Sequence, residues 1–164
     1  MNLFLYLFSS FLFVIAGPGI PKKGNISHAK QFPSKMINGI RFSHTTLYVE
    51  DLRTSTQFYR EVMTLEPISE PFHDQKHSWF SLGPHNQLHV VQGAQTKIAH
   101  DINIHLAFSV DNLPAFMEHL KKMNIPFGDW AGHSEKIVKR PDGVEQIYLQ
   151  DPDGYWIEVN NDRG

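Results

Sequence analysis

The sequence predicts an α+β fold of two β-α-β-β-β modules whose strands make a curved, partly closed sheet. Two observations predict it. A pattern around residue 44 returns around residue 105, and in each copy a strand-like run is followed by a helical run and then three extended segments. Composition sets the frame: 164 residues, 41% hydrophobic, 20% charged, net charge −2 and no Cys. That is the range of an ordinary globular domain. It excludes a disordered chain, a disulfide scaffold and thiolate metal chemistry. A slightly acidic chain has no electrostatic basis for holding a run of phosphates, so no nucleic-acid partner is expected.

From Leu3 to Ala16 only Ser9 and Ser10 interrupt an apolar run, and Val14-Ile15-Ala16 resembles a cleavage site. Residues 1–16 therefore read as a signal peptide, against the competing reading of a short buried helix. Cleavage would leave no stable membrane span and place the protein in a secreted or periplasmic setting; without it the protein is cytoplasmic. Residues 17–38, rich in Pro, Gly and Lys without apolar periodicity, read as a flexible lead-in. The folded domain is expected over 39–162, with modules at about 40–93 and 101–161.

At an offset of 61 residues, His44 falls on His105, Val49 on Val110, Glu50 on Asp111 and Leu52 on Leu113. The first helix is expected over Thr54–Met63, with Phe58 and Val62 on one face. The second follows an Asp111/Asn112 cap, with Pro114 in its first turn and Leu113, Phe116, Leu120 and Met123 at helical spacing. Extended segments are expected at Pro67–Phe72, His77–Leu82 and Gln87–Gln92, then at Pro126–Trp130, Val144–Gln150 and Tyr155–Asn160. Late in each half the offset slides to 69, laying Leu88-His89-Val90 over Ile157-Glu158-Val159.

Strand alternation then assigns faces. Ile104, Leu106, Phe108 and Val110 should pack under the second helix, leaving Asn103, His105, Ala107 and Ser109 opposite. Leu47 and Val49 lie on one side of the first strand, with Phe42, His44, Thr46 and Tyr48 on the other. If the strands curl into a cup, His44, His89, His105 and Glu158 point into one concavity. A lone histidine there is ordinarily a strand or surface residue. Four candidates at repeat-equivalent positions favour one divalent metal ion, with Zn, Fe, Mn, Ni and Co all compatible with imidazole and carboxylate donors. Tyr148 shares a face with Gln146 and Gln150, and Trp156 shares one with Glu158. Phe42 and Trp156 read either as an apolar wall or as core.

Paired β-α-β-β-β modules with ligands at these strands resemble the vicinal oxygen chelate superfamily, which includes glyoxalase I, extradiol dioxygenases, thiol transferases and bleomycin-binding proteins. Gln150-Asp151-Pro152-Asp153-Gly154-Tyr155-Trp156-Ile157-Glu158 is similar to a glyoxalase I segment, as is the opening His44-Thr45-Thr46-Leu47-Tyr48-Val49. The resemblance implies lyase or isomerase chemistry through an enolate held by the metal. Glu158 would be ligand and base, Tyr148 a catalytic hydrogen-bond donor, and Thr46, Tyr48, Gln146 and Trp156 contacts to a small oxygenated substrate. It also implies a homodimer whose cavities draw on both chains. Two departures separate the chain from a true lactoylglutathione lyase: His89 stands where that family has a second glutamate, and Tyr48 where it has an arginine. The alternatives are an iron enzyme of the dioxygenase type and a non-catalytic small-molecule-binding resistance protein.

Overall fold

A computed structural model describes residues 39–163. The expected signal peptide and lead-in lie outside the described residues. Among the described residues no helix is long and apolar enough to cross a membrane.

The first module runs β1 (His44–Val49), α1 (Leu52–Gln57), a π-helical turn (Phe58–Val62), β2 (Pro67–Ile68), β3 (His77–Ser81) and β4 (Gln87–Gln92). The second runs β5 (His105–Ser109), α2 (Leu113–Lys122), β6 (Phe127–Gly128), β7 (Val138–Lys139), β8 (Glu145–Gln150) and β9 (Trp156–Asn160). Each module folds its strands into one mixed sheet. The first has the order β1-β4-β3-β2; the second has β5-β9-β8-β6, with β7 also paired to β8. In both, the first strand lies parallel to the last, β1 to β4 and β5 to β9, and the remaining pairs are antiparallel. The architecture is the expected α+β pair of modules, as two sheets not closed into a barrel.

Local chemistry explains the helices. The Asp51 carboxylate accepts the Thr54 N–H at 2.6 Å and starts α1; Asn112 accepts the Ala115 N–H at 3.0 Å and starts α2. The expected helix over Thr54–Met63 is α-helical only to Gln57. Beyond it Met63 N–H reaches the Phe58 carbonyl at 3.1 Å, the wider spacing of a π turn. Helical periodicity cannot distinguish the two over so few residues. The segments expected at Pro67–Phe72 and Pro126–Trp130 each shrink to a two-residue strand, and β7 carried no signal of its own.

Alternation holds where the strands are long. Leu47 and Val49 of β1, Leu88 and Val90 of β4, Ile147 and Leu149 of β8 and Ile157 and Val159 of β9 are all buried. Each such side chain contributes about 1.5–3 kcal/mol relative to exposure. Leu106, Phe108 and Val110 pack against this core. Ile104 does not: it precedes β5 and is 74% exposed. Phe42 likewise stands in solvent ahead of β1, so it is neither core nor wall.

Polar groups also tie the two modules together. Asp153, in the β8–β9 turn, accepts the Glu50 N–H at 2.7 Å and the Ser55 hydroxyl at 2.7 Å. Tyr59 Oη donates to Asp151 Oδ2 at 2.8 Å. The π turn presents Tyr59, fully buried, to this contact.

Candidate functional site

The inner faces of the two sheets carry the predicted residues in two pairs. On the first sheet the parallel register sets Thr46 opposite His89, with His44 two residues back along β1 on the same face. The His44 and His89 rings stack, their centroids 4.2 Å apart. On the second sheet His105 Nε2 lies 3.4 Å from Glu158 Oε2. Among the described residues no group of three or more His, Cys, Asp or Glu is placed to hold a metal ion within one chain. The expected convergence of four donors is thus resolved into two separate couples. The physical reason is that each couple belongs to its own sheet, and the sheets do not close on one another.

The second couple is firmly built. His105 Nδ1 faces the Ile102 carbonyl at 2.7 Å. A carbonyl only accepts, so Nδ1 carries a proton, and in the neutral ring the Nε2 lone pair is turned toward Glu158. Glu158 is buried, and both carboxylate oxygens are held: Asn160 Nδ2 donates to Oε1 at 2.8 Å and Tyr148 Oη donates to Oε2 at 2.7 Å. Gln146 Nε2 donates in turn to Tyr148 Oη at 2.6 Å. Because an ionised carboxylate only accepts, the direction of this whole chain follows. Burial, reinforced by the bond to Glu158, pushes the Tyr148 phenol well above its ordinary pKa, so it remains a neutral donor.

The first couple is built from rings. His89 lies between His44 and Trp79, whose indole stacks on it at 3.9 Å and 1°. Gln87 Oε1 accepts from His89 Nε2 at 2.9 Å, which leaves Nδ1 as that ring's lone pair. Burial, and then the positive charges that His44 and His77 would carry, hold the His89 pKa below its ordinary value. A neutral imidazole is the form that can ligate.

Other predicted contacts are distributed around these couples. Thr46 is exposed on the inner face. Tyr48, 53% exposed, lies toward the far end of β1, its ring against Gly93. Trp156 is half-buried opposite His105 and donates its indole N–H to the His100 carbonyl at 2.9 Å. Sequence reasoning gave no role to two residues, Trp79 and Asn160, although alternation sets Asn160 on the same face as Trp156 and Glu158. The 69-residue offset would have found the first, since it lays Trp79 on Tyr148. Asn160 has no counterpart in the first module, where Val91 occupies its place.

Residues 41–159 match the family model described as Glyoxalase/Bleomycin resistance protein/Dioxygenase superfamily. The Bacillus subtilis (strain 168) protein named "Uncharacterized protein YwbC" is 29% identical over 124 residues, covering 72% of this chain and 94% of that one. Among solved structures, a lactoylglutathione lyase from Agrobacterium tumefaciens superposes with a TM-score of 0.56 at 22% identity, covering 75% of this chain and 94% of that one. A glyoxalase/dioxygenase from Nostoc punctiforme superposes with a TM-score of 0.61 at 19% identity, over 76% and 97% of the two chains. At these identities the solved structures speak for the fold alone.

Proposed function

This chain belongs to the Glyoxalase/Bleomycin resistance protein/Dioxygenase superfamily, and we propose that within it the protein is a divalent-metal-dependent enzyme with glyoxalase I-like lyase or isomerase chemistry on a small oxygenated substrate. We assign the metal to His105 and Glu158 of one copy together with His44 and His89 of a second. The observation that carries this reading is the preset couple on the second sheet. Ligands on bonds of about 2.1 Å lie roughly 3 Å apart at adjacent octahedral positions and roughly 3.4 Å apart around a tetrahedral ion, and His105 Nε2 and Glu158 Oε2 are 3.4 Å apart. The bare Nε2, fixed by a backbone acceptor on Nδ1, is the usual second-sphere arrangement of a ligating histidine. Two donors do not fill a coordination sphere, and the complementary couple lies on the other sheet. A two-fold pairing of two copies supplies it at each of two sites, and exposed Phe42, Tyr48 and Ile104 flank the histidine strands as apolar surface for that contact.

When bound, the metal would supply positive charge that stabilises an enolate developing on the substrate, typically worth several kcal/mol. The protein's own groups do the rest. Glu158 takes a proton from the hydroxyl-bearing carbon beside the substrate carbonyl and returns it to the carbonyl carbon, while the hydroxyl proton passes to the former carbonyl oxygen, so that hydroxyl and carbonyl exchange places. Asn160 holds Oε1 and Tyr148 holds Oε2, so the carboxylate is fixed in place for the transfer. Once Glu158 holds the proton, the hydroxyl of Tyr148, neutral and adjacent, is released to donate to the substrate oxygen that gains charge.

The test is metal content and mass of the intact protein and of two variants, His44→Ala and Glu158→Gln, alone and mixed. Both variants alone should be metal-poor dimers. Mixing with subunit exchange should restore about a quarter of the sites, because half of the dimers then carry one intact site of two. A monomer with full metal, or no recovery on mixing, overturns the two-copy site. A metal-free wild-type protein that binds small molecules would favour the resistance-type binder.

A further inference from the structure

Beside Tyr148 the inner face of the second sheet is hollow. The residue paired with Tyr148 across β6 and β8 is Gly128, which places no side chain over the phenol. The resulting cavity, about 230 Å3, is bounded by Phe127, Tyr148, Gln150 and Trp156 and by the loop carrying Asp129 and Ser134. An added Cβ at Gly128 would lie 2.3 Å from the His133 carbonyl oxygen, so the glycine also lets this loop close against the strand. The loop is firmly built: Asp129 accepts the Ala131 and His133 N–H groups at 3.0 and 2.8 Å, and His133 Nδ1 at 2.7 Å.

We propose that this hollow is a tail subsite, taking an uncharged monocyclic aryl or short branched alkyl group of the substrate. The inference rests on the function proposed above, which places the substrate's reacting carbon at Glu158, one hydrogen bond from Tyr148. Size supports it. A cavity of ~150 Å3 suffices for benzene, whereas drug-sized ligands take about 300–1,000 Å3. At about 230 Å3 the hollow holds one ring or a few branched carbons. Charge narrows the class further. Among the described residues no cationic side chain lines the cavity, and Asp129 contributes a carboxylate to its wall. The neighbouring imidazole of His133 turns its Nδ1 to that carboxylate. An anionic tail would enter without a partner and against a like charge. Large peptide-thiol conjugates are too big and too acidic for it.

The experiment uses the full-length protein, with and without Zn2+, and three probes sharing one head: glycolate, mandelate and 4-carboxymandelate. Binding is followed by 1H–15N spectra, with the Trp156 indole signal identified by its loss in Trp156→Phe. Mandelate should shift that signal and bind about tenfold or more tighter than glycolate. 4-Carboxymandelate should lose that gain. Ser134→Phe or Gln150→Phe, filling the hollow from either rim, should bring mandelate down to glycolate's level while leaving glycolate unchanged. Equal binding of mandelate and glycolate, equal binding of the carboxylated probe, an unmoved Trp156 signal or no binding at all overturns the subsite. Tail-selective binding without zinc uptake would instead leave the subsite standing and defeat the metal enzyme. Zinc uptake without tail selectivity defeats the subsite alone.

Discussion

Tyr148 Oη donates to Glu158 Oε2 at 2.7 Å across a pair of residues facing one another on β8 and β9. The same oxygen lies 3.4 Å from His105 Nε2. One acidic oxygen is therefore shared between a phenol that steadies its charge and an imidazole that would share its metal.

Replacing Tyr148 with Phe removes that phenol while keeping the ring in place. Glu158 keeps the Asn160 bond to Oε1 but loses the donor to Oε2. Outer-sphere partners of metal ligands typically contribute 10- to 100-fold in affinity. Zn2+ binding to Tyr148→Phe should weaken by about tenfold, read by competition with a chromophoric chelator. Glu158→Gln removes a ligand itself and should fall much further. Equal affinities for wild type and Tyr148→Phe would mean that the phenol does nothing for the metal.

Trp79 covers one face of His89 at 3.9 Å. Burial is the main cause of the lowered His89 pKa, and the stacked indole shields one face of the ring from water. Trp79→Ala should therefore raise the His89 pKa toward the ordinary imidazole value, measured from ring resonances in metal-free protein. The fraction of neutral His89 below about pH 6.5 then falls, and metal uptake in mildly acidic buffer should fall with it. An unchanged pKa would assign the shift to His44 and His77 instead.

The sequence made the scaffold legible through its repeat. His44 over His105 and His89 over Glu158 placed each residue on the inner face of a strand that the structure contains. What the repeat could not show is the relation between sheets. Alternation within a strand is local, whereas the separation of the two couples depends on how whole sheets pack. Tyr148 was legible as a neighbour of Glu158 because both sit on strands of full length. Trp79, its equivalent, went unread because the offset was applied to the ligand strands and not to the strand beside them. The π turn at Phe58–Val62 was invisible for another reason: the bonds that define it lie in the backbone.

Ser55 and Asp153 join α1 to the β8–β9 turn through a bond of 2.7 Å between two buried side chains. Ser55→Ala improves intrinsic helix propensity by a few tenths of a kcal/mol. It also leaves Asp153 Oδ2 without its hydroxyl partner, a loss of about 1–3 kcal/mol for a buried acceptor. The second effect is larger, so the variant should be less stable by roughly 1–2 kcal/mol in urea unfolding. A neutral or stabilising result would mean that water replaces the hydroxyl.

Asp151 tests the same junction through pH. Burial raises its pKa, while bonds from Tyr59 Oη and from the Asp153 and Tyr155 N–H groups work in the opposite direction and lose. A carboxyl group whose pKa is higher in the folded state stabilises the fold while protonated. That contribution is complete below the unfolded value of about 3.9 and is lost as pH rises through the folded value. Asp151→Asn cannot titrate, so subtracting its unfolding free energy from that of the wild type at each pH isolates the group. The difference should move against the wild type as pH climbs from about 4, then level off once Asp151 is ionised in both states. A difference that moves toward the wild type over the same range would show the three hydrogen bonds outweighing burial, and Asp151 would then act as a charged anchor for Tyr59.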